Sequence, residues 1–291
     1  MAAEAGWNYI VQGSKGAVEL WSTVRLPFER SRLEWVEEMR TSLRDSLSSL
    51  SAEQGWLSAV FAGPDALRGA AFDIENVLFY NVGTKHFRQS SKRGLRFERA
   101  SVAPDPPAAL SGSVAHYARY EAAKPLVGEF SHWKIGALAA SFEAALPALS
   151  SSSRASTVWL ALKRGDVQVS RDIGRDPFAL RLTLTGPSVS LADVLKPVLD
   201  GVIAAFHSHD GSDEAAIIER LAAQTGAEES ELRGHLEPVA IAPLDQRSLL
   251  YLRGDGVHWN PADDLCVACE IRAEVGAEWS IAGELASITR S

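Results

Sequence analysis

Between Ser190 and Asp210 the chain reads SLADVLKPVLDGVIAAFHSHD, and this stretch limits the choice of fold more than any other. Leu191, Val194, Leu195, Val198, Leu199, Val202, Ile203 and Phe206 recur in steps of three and one, the stripe of a helix whose one face lies on a core. Ser190 and Asp193 have the spacing of a capping box, in which hydroxyl and carboxylate each take a free N–H of the first turn. Pro197 lacks an N–H and opposes the carbonyl of Asp193, so a kink there, or a helix regular only beyond it, is expected. Asp193, Asp200 and His207 form a polar stripe opposite the apolar one, the pattern of a solvated face. Past its end the helix delivers His207, His209 and Asp210.

A helix of this kind needs a sheet or other helices to cover, and the flanking sequence supplies strands. WNYIVQ and AVELWSTVRL, joined by GSKG, predict a hairpin. Leu33, Val36, Met39, Leu43, Leu47 and Leu50 then give an amphipathic helix over 31–50. A short apolar run at 56–61 precedes a Gly63-Pro64-Asp65 turn, and strands are expected at 72–83 and at 94–100. Residues 114–149 read as helical, with Phe130, Trp133, Leu138, Phe142 and Leu146 near the helical period between Pro125 and Pro147. STVWLALKRG and FALRLTLTG read as strands, as do SLLYLRG and most of the chain beyond it. The expected fold class is α+β, with mixed or antiparallel sheets covered by helices at 31–50, 130–146 and 190–206.

Three units follow from these signals: an N-terminal α+β unit at 1–113, a helical connecting segment at 114–153, and a C-terminal α+β unit at 154–291 carrying a helical hairpin insertion at 211–247. Laid side by side, the two ends suggest a degenerate internal repeat, although the matched identities are few and coincidence accounts for them as well. Each runs strand, proline, helix, then an aromatic-Asn turn (Tyr80-Asn81-Val82-Gly83 and Trp259-Asn260-Pro261-Ala262), then a strand with acid and base (Phe97-Glu98-Arg99 and Glu270-Ile271-Arg272).

Composition narrows the function classes. The net charge of -8 argues against attraction of the whole surface to nucleic acid or anionic membrane. No apolar run approaches the roughly 20 residues that a membrane helix needs, and the N-terminus lacks the pattern of a secretory signal. With 2 cysteines, too few for a disulfide framework, the expected location is the cytoplasm. Heavy use of Ala, Arg, Gly and Asp is what a GC-rich bacterial genome encodes.

Four patterns bear on chemistry. His207, His209 and Asp210 offer two imidazoles and a carboxylate to zinc or manganese, although a solvated helix end accepts the same residues. The His-Ser-His resembles that of metal-dependent deubiquitinase-like proteases, but the Ser and Asp that should follow it are misplaced. Cys266 and Cys269 with those histidines would complete a zinc site, but on a straight strand they face opposite ways, so small buried residues are expected instead. Asp263, Asp264, Glu270 and Arg272 are similar to the carboxylate clusters of metal-dependent nucleases, with an arginine where a lysine is needed; a turn followed by a strand explains the same letters. Lys85, Arg88, Lys92, Arg93 and Arg96, interleaved with aromatics, form the basic run of an acidic chain, suited to an anionic partner such as nucleic acid or phosphate, or simply to solvent.

ERLAAQTGAEESELRGHL resembles a helix-turn-helix, with Ala222, Gly226 and Leu232 at its key positions. Glu228, Glu229 and Glu231 would meet phosphates on the recognition helix, so an αα-hairpin without DNA contact is expected. Two functions remain. The first is a cytosolic non-catalytic binding or assembly subunit, touching a protein or anionic partner, or a second copy of itself, through 85–99 and 212–236. The second is a metal-dependent hydrolase, phosphoesterase or nuclease-like, with His207, His209 and Asp210 as ligands and Asp263 or Glu270 as further ligand or base.

Overall fold

The computed structural model describes residues 7–50, 55–64, 73–123, 129–188, 190–237 and 242–291. The opening hairpin forms as its Gly-containing turn predicts, β1 (Tyr9–Gly13) against β2 (Ala17–Ser22). Helix α1 (Glu34–Ser48) buries Val36, Met39, Leu43 and Leu47, and β3 (Trp56–Ala62) follows. The stretch expected as a strand at 72–83 is instead helical, closing a π-turn over Asn76–Tyr80 in which Asn81 N–H reaches the Asn76 carbonyl at 2.9 Å. Asp65, Phe72 and Pro125, which marked expected boundaries, lie outside the described residues.

After β4 (Gly94–Arg99) come β5 (His116–Ala123) and β6 (Trp133–Ala145), so the helical segment expected within 114–153, including the covering helix at 130–146, is replaced by two strands. Trp133, Ala139, Phe142 and Ala144 are buried on β6, and its many alanines left the period ambiguous. The reverse exchange occurs next: STVWLALKRG is helix α2 (Ala155–Arg164), packed against the longer helix rather than paired in a sheet. β7 (Asp166–Val169), β8 (Phe178–Gly186) and helix α3 (Leu191–Ala205) follow. Then come α4 (Glu214–Thr225) and α5 (Glu229–Leu236), joined through a left-handed Gly226, the αα-hairpin its acidic composition implied. β9 (Leu250–Arg253) and β10 (Gly256–Trp259) pair as a small hairpin, and β11 (Cys266–Val275) and β12 (Ser280–Arg290) close the chain.

The fold is α+β: among the described residues ten strands form one mixed sheet in the order β1-β2-β5-β3-β4-β11-β8-β12-β6-β7. β4 and β11 meet antiparallel at its centre. Outward from them, β4-β3-β5-β2 and β11-β8-β12-β6 show the same senses, parallel and then twice antiparallel. Leu95 and Phe97 on β4 turn toward the helical layer, where the Phe97 ring meets Phe79 of the π-turn edge to face at 5.9 Å. Arg96 and Glu98 turn the other way, as the two-residue period of a strand requires.

Helix α3 behaves as its stripe demands, with Leu195, Val198, Leu199, Val202 and Ile203 all at most 1% exposed. Its cap differs from the expected box, because the Ser190 hydroxyl bonds the Asp193 carboxylate at 2.8 Å and caps no backbone N–H. Among the described residues no helix is long and apolar enough to cross a membrane.

Candidate acidic centre

Two crossovers on the helical side of the sheet meet over β4 and β11. The first, from β3 to β4, carries Asp73 and Glu75 at the entrance to the π-turn; the second, from β8 to β11, carries Lys196 and Asp200 on α3 and Asp263 just before β11. Their contact is sealed near the rim by an Arg88–Asp193 ion pair at 2.9 Å.

Lys196 stands at the middle of this junction. Its ammonium lies 3.0 Å from Asp73, 3.1 Å from Glu75, 2.8 Å from Asp200 and 3.1 Å from Asp263. The Asp73, Glu75 and Asp263 carboxylates approach within 4.8 Å of one another, close enough to share one ion. Asp73 is oriented by the Asn76 side-chain amide, which donates to it. A single ammonium cannot balance four carboxylates, and Arg99 and Asp264 nearby contribute one charge of each sign. The electrostatics record that excess. Burial pushes the Glu75 carboxyl up to about 8, opposed by Lys196 and reinforced by Asp73 and Asp200. Burial likewise raises Asp200, and Asp263 well above the carboxylate range. Burial alone would lower the Lys196 ammonium, but Glu75, Asp200, Asp263 and Asp73 hold it above the ordinary lysine range, so it stays charged. Burial lifts the Tyr80 phenol, beside the Lys196 backbone, to about 12.

Clefts open on either side of the ammonium. One of about 380 Å³ is lined by Arg25, Phe28, Asp73, Asn76 and Lys196. The other, of about 460 Å³, is lined by Tyr80, Arg154, Lys196, Asp200 and Trp259. The centre is therefore reachable from solvent on two sides. Phe28 stands 71% exposed at the first mouth.

The expected histidine cluster does not assemble. Both ring nitrogens of His207 are committed to main chain, Nδ1 donating to the Asp245 carbonyl at 2.6 Å and Nε2 accepting from Ala262 N–H at 3.1 Å. His209 is buried with Nε2 against the Ser212 carbonyl at 2.8 Å, while Asp210 is exposed and caps the Ser212 turn. The cysteines do face each other, contrary to the straight-strand expectation, because an extra residue at Val267 bulges β11. Burial and a hydrogen bond with Cys266 raise the Cys269 thiol well above its usual range, the setting of inert buried thiols.

Of the clustered acids near the end of the chain, Asp263 joins the centre, whereas Glu270 lies on the opposite face, bound to Arg96 and Arg272. Arg96 is thus a buried partner of Glu270, and Arg88 pairs with Asp193. Lys85, Lys92 and Arg93 remain exposed on the basic run. Sequence reasoning missed Asp73, Glu75, Lys196 and Asp200. The available signals were the Asp-x-Glu-Asn run before the turn and the Lys196/Asp200 pair one helical turn apart. Comparison of the chain with protein-family models, with curated proteins and with solved structures gives no match.

Proposed function

We propose that the protein is a divalent-metal-dependent hydrolase of phosphate esters, working at the junction of the two crossovers. The observation that carries this reading is the approach of Asp73, Glu75 and Asp263 to within 4.8 Å, with Lys196 alongside. An all-carboxylate donor set suits a hard ion such as manganese or magnesium better than zinc. A cation there would oppose the burial that pushes the Glu75 carboxyl up to about 8 and raises the Asp263 carboxyl. Bound between these carboxylates it would polarise a phosphoryl oxygen and acidify a water. That water would lose a proton to solvent and its oxygen would attack phosphorus, while the bond to the leaving-group oxygen would break and that oxygen would leave with a proton from solvent. Lys196, permanently charged, offsets the negative charge that grows on the phosphoryl oxygens. Asp200 keeps Lys196 in place at 2.8 Å.

The test is manganese binding by calorimetry and electron paramagnetic resonance, together with hydrolysis of bis(4-nitrophenyl) phosphate. Stoichiometric binding and turnover, both abolished in Asp73→Asn and Asp263→Asn, are expected. A wild-type protein that takes up no manganese at millimolar concentration refutes the assignment.

A partner contact is a second reading, supported by the exposure of Lys85, Lys92 and Arg93 on the basic run. Salt-dependent binding of an oligonucleotide, weakened by Lys92→Glu with Arg93→Glu, would support it. The matched strand order about β4 and β11 supports a further proposal, that the two halves descend from one repeated unit, β2-α1-β3-β4-β5 corresponding to β6-α2-β8-β11-β12. In that scheme the acids of the first half and the lysine of the second come from equivalent crossovers.

A further inference from the structure

Helix α3 does two jobs along one rod. Its middle presents Lys196 and Asp200, and just beyond its last residue stands His207, 3% exposed. The imidazole bridges two main-chain groups of distant segments, the Asp245 carbonyl and the Ala262 N–H. Between His207 and Ala262 the chain makes an excursion through α4, α5, β9 and β10, and the histidine ties both sides of its neck. The adjoining bonds follow the same line: Leu244 N–H reaches the Phe206 carbonyl at 3.2 Å and Arg247 N–H the Ser208 carbonyl at 3.1 Å.

Ala262 immediately precedes Asp263, and its carbonyl accepts from Leu265 N–H at 3.1 Å to close the short turn that carries the carboxylate. The backbone entering Asp263 is therefore held by a side chain just past the end of the helix that holds the lysine. We propose that His207 is a positioning residue of the acidic centre, fixing Asp263 at its 3.1 Å separation from Lys196 without itself touching an ion. This rests on the metal-centre reading above. The two bonds need opposite roles at the two nitrogens, a donor at Nδ1 and an acceptor at Nε2, and a neutral imidazole supplies both. No aliphatic side chain can substitute. Groups that orient metal ligands in this way typically alter affinity by about 10–100-fold when removed.

The experiment is manganese affinity of the full chain by calorimetry, for wild type, His207→Leu, His207→Gln, Ala262→Pro and Leu285→Ala. Leucine removes both bonds. Glutamine restores an acceptor for the Ala262 N–H. Ala262→Pro deletes that N–H at a position whose φ of -85° is close to that of proline. Leu285 is buried in β12, away from the centre, and its truncation is the control for general destabilisation. The expected result is affinity about 10–100-fold weaker in His207→Leu and Ala262→Pro, partial recovery in His207→Gln and no change in Leu285→Ala. Wild type that binds manganese while both His207→Leu and Ala262→Pro bind within twofold of it overturns the positioning role alone. An equal loss in Leu285→Ala also overturns it. Wild type that binds no manganese overturns the metal centre and the positioning role together. Should His207→Leu fail to fold, Ala262→Pro decides.

Discussion

Lys196→Met keeps most of the side-chain volume and deletes only the ammonium, so it asks what the four carboxylates do alone. At about 3 Å and an effective dielectric near 20, each ammonium–carboxylate contact is worth roughly 5 kcal/mol before desolvation and repulsion among the acids are counted. Those opposing effects cancel most of the sum, and removing one partner of a buried ionic cluster costs about 3–5 kcal/mol in practice. Lys196 is 26% exposed and Glu75 3%, so little solvent screening is available to soften the loss. With an unfolding entropy of about 2.1 cal/mol/K per residue, that penalty over this chain lowers the melting temperature by about 5–8 °C at pH 8. The loss should shrink toward pH 5, because Glu75, Asp200 and Asp263 have folded pKa values raised by burial and take up protons readily once the lysine is gone. Manganese should recover part of it at pH 8 by replacing the lost positive charge. Circular-dichroism melts at pH 5 and pH 8, with manganese or with chelator, measure all three effects. A variant that melts within 1 °C of wild type at pH 8 would mean that the ammonium does not hold the acids together.

Other perturbations test separate parts of the structure. His116 and His207 are buried and neutral, with pKa values lowered by burial to about 3 and about 4. Folded values below the unfolded value of about 6.5 mean that their stabilising contribution is full above pH 6.5 and is lost as pH falls toward 4. For His207 the loss is about 3 kcal/mol, read as a fall in urea midpoint that His207→Gln should lessen; equal pH slopes for the two proteins would contradict it. Gly201→Ala would set a Cβ 2.6 Å from the Ala155 carbonyl and 2.6 Å from Val158 Cβ, where α3 crosses α2, and should cost about 1–3 kcal/mol in denaturant melts. Glu270→Gln on the opposite face removes the shared partner of Arg96 and Arg272, and a loss of about 3 kcal/mol is expected, with Arg272→Ala alone costing under about 1 kcal/mol because Arg272 is half exposed.

The sequence by itself determined what depends on near neighbours. The α3 stripe, the opening hairpin, α1 and the acidic αα-hairpin are local period and turn chemistry, and each formed where expected. Where local signals were ambiguous the structure chose: alanine-rich β6 became a strand because β12 and β7 flank it, and STVWLALKRG became a helix because α3 offered it a packing face. The acidic centre was set by tertiary structure alone. Asp73 and Lys196 are 123 residues apart, and only the meeting of two crossovers over β4 and β11 makes them neighbours. Asp200 was read as solvated because its place opposite the α3 stripe suggests water, yet the first crossover covers that side and leaves its side chain only 16% exposed. A helical period tells which side chains share a face; what lies against that face depends on how distant segments pack, and no local pattern encodes it.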